Sequence, residues 1–423
     1  MNAVARPNNN WLANHSRLIG LIAAGIAVAG LVVRADILLR PGLGEVLGGL
    51  AQHAFVLGLL LLLTARSRTV SLPTLGMFWL LGLWTVFFLS YLLEEPMGQV
   101  FGANGSNRIV DGRLDVTSDT FVPDYWSPFV EEMLKLAPVA LYLLFATRAG
   151  ARQPSMSDGM LLGFVLGAAV SFHEDAHVGK IFTSGAGWDA GTPWTLIFPT
   201  VSPVGELFAL NHALWAALSG LTIGVAVMFR HRPWAWAIGV VGPLLALTNH
   251  MMMNHFAGNV LGQLGRADVP WHFATIRSLT SDGKLPLLVI IFGGFAVAVG
   301  DWLILRWAGR RDRMFPPLSA GYIYGLVKKA NSRAGFIQLV AAKQYVILRR
   351  AIYFAGWRTK RAGGAAQVTR ADYVQLRDLF VRAGAPAPAY SPLPHQPDTA
   401  VTGVERNNGA AAEIPDEESE PTV

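Results

Sequence analysis

The chain has 423 residues, of which 52% are hydrophobic and only 15% are charged. A soluble domain usually carries about 25% charged residues, so this chain has too few charges to cover a water-facing surface of its size. Together with long apolar runs, this excludes a simple soluble enzyme and a disordered chain. The runs are continuous rather than alternating, which excludes a transmembrane β-barrel. There is no cysteine, which excludes disulfides, thiol catalysis and cysteine-based metal sites.

Eight apolar runs are long enough to cross a bilayer, which needs about 20 residues for each helical span. We place them at residues 18–33, 46–64, 72–93, 128–147, 158–178, 205–229, 233–256 and 286–308. Every short loop on the side of the N-terminus carries arginine, whereas the 94–127 loop holds six acids against two arginines. Since Lys and Arg in short loops favour the cytoplasm, the sequence predicts that both termini lie inside. The predicted fold class is an all-α transmembrane helical bundle of about eight spans.

The membrane domain is predicted to cover residues 1–310, and two further segments follow it. Residues 311–383 hold 14 Lys and Arg against 3 acids and alternate apolar with basic side chains. This pattern predicts amphipathic cytoplasmic helices on an anionic leaflet, the last beginning near Thr369 and Asp372. Residues 384–423 hold 7 acids against 1 Arg with few apolar residues, which predicts a disordered acidic tail. We expect anionic lipid of the cytoplasmic leaflet as a partner, and no nucleic acid.

Four of the middle spans carry ionisable or amide side chains, although a charge at bilayer depth costs about 2.5–3.5 kcal/mol. These residues are Glu131, Glu132 and Lys135 in the fourth span, His173, Glu174, Asp175 and His177 in the fifth, Glu206, Asn211 and His212 in the sixth, and Asn249, His250, Asn254 and His255 in the seventh. In the predicted topology most of them lie in one layer near the outer surface. That layer indicates a shared cavity that water can enter.

The order of these residues resembles one protein family. Glu131-Glu132-x-x-Lys135, a Gly-rich helix ending in Glu174, a helix with His212, and then His250-x-x-x-Asn254 resemble the PrsW-type intramembrane proteases, relatives of the type II CAAX prenyl endopeptidases. The resemblance covers a motif-bearing core at residues 128–256. It implies a multi-pass intramembrane endopeptidase of a bacterial plasma membrane. The catalytic residues that it implies are Glu131, Glu132, Glu174, His212, His250 and Asn254.

The resemblance also implies a substrate: a membrane-tethered protein such as a single-span anti-sigma factor. A site in the outer leaflet fits cleavage near the extracytoplasmic side of such a span. Peptide hydrolysis requires an activated water and a donor to the tetrahedral oxyanion. Lys135 lies four residues after Glu131, so we expect these two to pair and to leave Glu132 less neutralised. Which of the two glutamates activates water stays open.

His250 and Asn254 share one helix face, because they are four residues apart. On that face, His250 would orient the water or protonate the leaving amine, and Asn254 would donate to the oxyanion. A different motif gives an alternative. His173-Glu174-x-x-His177 matches the H-E-x-x-H pattern of zinc proteases, in which two His bind zinc and the Glu is the base.

The cofactor therefore stays open between zinc and none, because a glutamate-type mechanism needs no metal. In the zinc interpretation, His250 or His255 would supply a third ligand. A non-enzymatic alternative is a proton-coupled transporter or a scaffold, since such carriers also use intramembrane acids and histidines. The sequence shows no paired repeat halves, which are frequent in transporters.

Overall fold

The computed structural model describes residues 43–86, 89–90, 92–94, 96–97, 109–110, 113–114, 125–148, 153–178, 210–258, 271–311, 317–361 and 370–385, together with Gly25. The predicted first span at 18–33, most of the 94–127 loop, the 179–204 loop and nearly all of the acidic tail lie outside these residues. The chain divides into two compact units, Met1–Gly384 and Ala385–Val423, and the described helices belong to the first.

Helices account for almost all of the described residues, which confirms the all-α class. In chain order they are α1 (Leu43–Leu63), α2 (Leu72–Leu81) with a π-helical turn at Gly82–Val86, α3 (Ser127–Arg148), α4 (Met156–Val178), α5 (His212–Met228), α6 (Pro233–Gly258), α7 (Trp271–Leu279), α8 (Lys284–Arg311), α9 (Ala320–Lys329), α10 (Arg333–Arg361) and α11 (Arg370–Arg382). Two short strands, β1 (Ile109–Val110) and β2 (Arg113–Leu114), pair antiparallel with Ile109 opposite Leu114. They lie within the segment 94–127, which connects two predicted spans.

Several of these helices are apolar enough to cross a membrane. Among the described residues, three segments have both the length and the composition of a span: Met156–His173, Pro233–His255 and Trp271–Ala308. Shorter apolar helices occur at Leu50–Leu63, Leu72–Trp84 and His212–Met228. The chain is therefore a helical membrane protein, whereas the count of eight spans and the inside position of both termini stay predictions.

Helices α4 and α5 form the centre of the described fold, and they approach closely through glycine. A Cβ atom at Gly163 would lie 2.0 Å from the carbonyl oxygen of Ala216, and one at Gly167 would lie 2.1 Å from that of His212. Only glycine allows this approach, and small residues one helical turn apart are the usual means of close packing between membrane helices. This contact, the α4–α5 seam, fixes the first turn of α5, where His212 lies.

Two buried aspartates stabilise the N-terminus of α4, whose first N–H groups have no partner within the helix. Asp158 accepts a hydrogen bond from the backbone N–H of Thr69 at 3.0 Å. Asp301, from α8, accepts hydrogen bonds from the N–H groups of Met156 at 3.0 Å and Ser157 at 2.9 Å. Negative charge is favourable at this end of a helix dipole, so the two carboxylates attach α4 to its neighbours.

The basic helix α10 packs on the loops at this same end of α4. The Arg350 guanidinium donates to the carbonyl oxygens of Ala65 at 3.0 Å and Arg68 at 3.2 Å, and the Gln153 N–H donates to the Ala351 carbonyl at 3.0 Å. Burial, followed by the nearby Arg68, lowers the pKa of Arg350 to about 10, so it stays charged at neutral pH. Part of the basic segment therefore contacts protein.

Candidate active site

Three side chains from three helices converge at one point. Glu131 of α3, His212 of α5 and His250 of α6 each offer one ligand atom, and these atoms lie within 4.8 Å of one another. Glu131 Oε2 is 3.5 Å from His212 Nδ1 and 3.9 Å from His250 Nε2. Both histidines are buried, whereas the Glu131 side chain is 18% exposed. Glu131 is therefore the member of this Glu/His/His centre that solvent reaches most.

Local structure at the start of α5 explains the position of His212. Asn211 is the N-cap residue: its backbone is extended, and its side chain accepts a hydrogen bond from the Leu214 N–H at 3.0 Å. His212 is consequently the first helical residue, next to the N–H groups that give a helix its positive end. A carboxylate lies near this end of the helix, since Glu131 Oε2 is 3.5 Å from His212 Nδ1.

A buried network supports the centre from the side of Glu132. Glu132 Oε1 accepts a hydrogen bond from Lys135 Nζ at 2.5 Å and lies 2.9 Å from His250 Nδ1. Lys135 Nζ also lies 2.7 Å from His212 Nδ1. Lys135 and Glu132 are almost completely buried, and such a pair is tolerated only when its hydrogen bonds are well satisfied.

The expected pair between Lys135 and Glu131 is wrong, because Lys135 pairs with Glu132 instead. Spacings of three and four residues both place side chains on one helix face, so spacing alone could not choose between the two glutamates. The neighbouring helix decides, since His212 Nδ1 and Glu132 together surround the ammonium group. The result reverses the expected difference between the glutamates: Glu132 is the neutralised, buried one.

The same network orients the ring of His250. Since Glu132 is an acceptor, His250 Nδ1 carries the proton, as assigned from its hydrogen-bond partner. The lone pair of His250 is then on Nε2, which is the nitrogen that faces Glu131. A histidine held by a carboxylate through one nitrogen and available through the other is the usual arrangement of a metal ligand.

Trp215 covers the other side of His250, with the two rings stacked at 4.0 Å and an interplanar angle of 16°. Its indole N–H donates to Asn249 Oδ1 at 2.8 Å, and this oxygen also accepts from the Leu210 N–H at 2.9 Å. Trp215 was not among the predicted site residues. Its place three residues after His212, on the same face of α5, was the signal for a role at the centre.

The structure describes less of the remaining predicted site residues. Asn254 lies one turn after His250 on α6 and is partly buried. Glu174 and His177 are helical residues of α4, but their side chains lie outside the described residues, as does all of Glu206. A role for any of them stays a prediction.

His173, the first member of the H-E-x-x-H motif, is fully buried, and its ring packs edge-on against Trp84 at 5.3 Å. Among the described residues, the group of three potential metal ligands consists of Glu131, His212 and His250, without His173. The zinc site at His173 and His177 stays an untested alternative.

The donor set of the Glu/His/His centre fits a divalent metal of the zinc type. Two histidines and one glutamate bind zinc in several metalloproteases, and they leave one position for water. The hydrogen bond between Glu132 and His250 supplies the expected support behind one ligand. One contact has the opposite effect, because Lys135 would compete with a cation for Nδ1 of His212.

Membrane-spanning helices around a buried Glu/His/His centre define a membrane protein whose site is suited to hydrolysis. The family model described as PrsW family intramembrane metalloprotease matches residues 71–277, just under half of the chain. The chain therefore carries a PrsW family intramembrane metalloprotease domain, and the resemblance seen in the motifs is confirmed. The domain is larger than the predicted core at 128–256, since it begins at α2 and ends in α7. No curated protein and no solved structure matches the chain.

Proposed function

We propose that this chain is an intramembrane endopeptidase with Glu131, His212 and His250 at its catalytic centre. The observation that carries this proposal is the approach of their ligand atoms to within 4.8 Å, from three separate helices. All three residues lie inside the segment that matches a metalloprotease family. A role as a scaffold or a transporter would not explain the match to a metalloprotease family, so these alternatives are not favoured.

Glu131, His212 and His250 would together hold one divalent metal, for which zinc suits one carboxylate and two imidazoles best. When bound, such a metal polarises the peptide carbonyl and lowers the pKa of a water molecule. Glu132 accepts the hydrogen bond of His250 Nδ1 and so fixes the orientation of the ring. Lys135 in turn donates to Glu132 and keeps this carboxylate in position. Asn254 would donate its amide N–H to the oxyanion.

A second mechanism, without a metal, is favoured by the contact between Lys135 and His212. If Lys135 stays bound to His212 Nδ1, Glu131 would act as the base that takes a proton from water, and His250 Nε2 would accept a hydrogen bond from that water and so orient it. The proton taken by Glu131 would then pass to the leaving amine. Glu131 is required in both mechanisms. The zinc site at His173, Glu174 and His177 would instead make Glu131 a minor contributor.

The proposed substrate is a membrane-tethered protein, in the manner of a single-span anti-sigma factor, cleaved near the extracytoplasmic side. This rests on the predicted topology, in which the start of α3 and the end of α6 face outward. A bacterial plasma membrane is the proposed location, and anionic lipid of its cytoplasmic leaflet is a proposed partner of the basic segment.

The test is proteolysis of a single-span reporter by the full chain, purified in detergent. Glu131→Gln and His250→Gln are expected to remove activity, whereas His177→Ala retains most of it. His231→Gln is the matched control, because His231 is exposed in the turn between α5 and α6. If His177→Ala is inactive while Glu131→Gln is active at equal protein level, the proposed centre is incorrect.

A further inference from the structure

An open groove with a volume of about 460 Å³ lies between the C-terminal ends of α8 and α10, outside the protease domain. Six residues line this α8–α10 groove: Leu303, Ile304, Arg306, Trp307, Trp357 and Arg361. Pockets for small ligands have volumes of roughly 300–1,000 Å³, so the groove has the size of a ligand site. Its lining contains two arginines, and none of the six residues is acidic.

Cations around the groove are held against indole rings. The pairs are Arg306 with Trp302 at 5.2 Å, Lys360 with Trp307 at 5.2 Å, and Arg361 with Trp357 at 5.5 Å. Such contacts hold a positive charge in place without neutralising it, because the ring carries no net charge. Two of these cations, Arg306 and Arg361, line the groove, and Lys360 is held against the lining residue Trp307, which favours an anionic ligand.

The groove also continues into an apolar surface along α8. Leu303, at the groove, is 52% exposed, and Val299 and Phe295 are exposed on the preceding turns. These residues are four apart, so they form one stripe along the helix. The stripe belongs to the candidate span Trp271–Ala308, whose exposed apolar side chains would face lipid. A ligand in the groove would thus contact both cations and a lipid-facing wall.

We propose that the α8–α10 groove binds one anionic phospholipid, with its phosphate between Arg306 and Arg361 and an acyl chain along the stripe of Leu303, Val299 and Phe295. Guanidinium groups suit phosphate because they donate two parallel hydrogen bonds. Tryptophan is typical of the layer where lipid head groups meet the protein. The lipid would join α8 to α10, and this role is separate from the peptidase activity.

Lipid binding to the full chain in detergent tests this inference, with native mass spectrometry as the readout. Phosphatidylglycerol is expected to bind at least about tenfold more tightly than phosphatidylcholine. The double variant Arg306→Gln with Arg361→Gln should lose this preference. The matched control is Arg333→Gln with Lys343→Gln, which removes the same charge from exposed positions of α10 and should keep the preference.

Three results would overturn the proposal. The first is an equal loss in the control pair, which would indicate only general attraction to basic charge. The second is a groove variant that keeps full preference for phosphatidylglycerol. The third is competition by inorganic phosphate at the lipid concentration, which would indicate a site for free phosphate. If the double variant unfolds, Arg361→Gln alone decides, because Arg361 is the exposed last residue of α10.

Discussion

The α4–α5 pair and helix α8 are both apolar, but they contact different surroundings. All of Met156–His173 is buried within the protein, whereas only a third of Trp271–Ala308 is buried. The first region uses glycine to bring two backbones into contact, and the second presents large side chains such as Phe292 to its surroundings. Apolar composition therefore occurs both in the buried framework of α4 and α5 and on the exposed surface of α8, and only packing separates the two.

The Glu/His/His centre lies next to the buried α4–α5 pair rather than on the exposed face of α8. His212 lies at the end of the α4–α5 seam, where its carbonyl oxygen faces Gly167. Trp215 and Asn249 then connect α5 to α6 and hold His250. A change in the seam should therefore reach the centre, whereas a change on the outer face of α8 should not.

The largest expected effect is at the centre itself. Glu131→Gln keeps the shape of the side chain but removes the carboxylate that both proposed mechanisms need. Proteolysis of the tethered reporter should fall by at least about three orders of magnitude, as is usual when a group at the reacting atoms is lost. Initial rates at matched protein level measure this effect. Activity near that of His231→Gln would exclude Glu131 from catalysis.

The second effect is on stability. Gly163→Ala places a methyl group 2.0 Å from a backbone oxygen that cannot move cheaply, and overpacking of this kind costs about 1–3 kcal/mol or more. Gly58→Ala on α1 is the control, because nothing lies within 4 Å of its new Cβ. Unfolding in mixed detergent should show a lower stability for Gly163→Ala alone. Equal stability of the two variants would mean that the α4–α5 seam is not tight.

The third effect is on the residues behind the centre. Glu132→Gln should lower the rate by roughly 10–100-fold, since loss of a group that orients a ligand has this size of effect. The comparison with Glu131→Gln in the same assay is the measurement, after protein levels are matched. An equally inactive Glu132→Gln with unchanged folding would identify Glu132 as the catalytic base.

The smallest expected effect is at the exposed face of α8. Phe292 is 67% exposed on α8, so Phe292→Leu exchanges one lipid-facing apolar side chain for another. Stability should change by less than about 0.5 kcal/mol, and proteolysis should be unaffected. A large loss in either assay would show that α8 packs against another protein surface at this position.

The helices could be located from the sequence, because apolar length and flanking polar residues determine where a membrane helix begins and ends. The predicted span at 128–147 is α3 at Ser127–Arg148, and the one at 158–178 is α4 at Met156–Val178. The predicted topology placed Glu131, His212 and His250 in one layer, and the resemblance to the PrsW-type proteases implied that all three are catalytic. The sequence could not determine which glutamate Lys135 would contact, since that depends on the angle between two helices.

Two contacts that support the fold and the site could not be predicted from the sequence. Asp301 lies near the end of a largely apolar span, and its role appears only because α8 brings it to the N-terminus of α4. Trp215 lies on the same helix face as His212, but its stacking on the ring of His250 depends on where α6 lies. Both are contacts between distant segments, and local pattern contains no information on which helices become neighbours.

The most direct test of the central claim is the metal content of the purified chain and its variants. We expect about one divalent metal ion per chain in the wild type and in His177→Ala, and its loss in His212→Gln and His250→Gln, because ligand number determines metal retention. Elemental analysis of matched, folded preparations provides the measurement. Metal that is kept in His250→Gln and lost in His177→Ala would contradict the proposed centre and favour the H-E-x-x-H site.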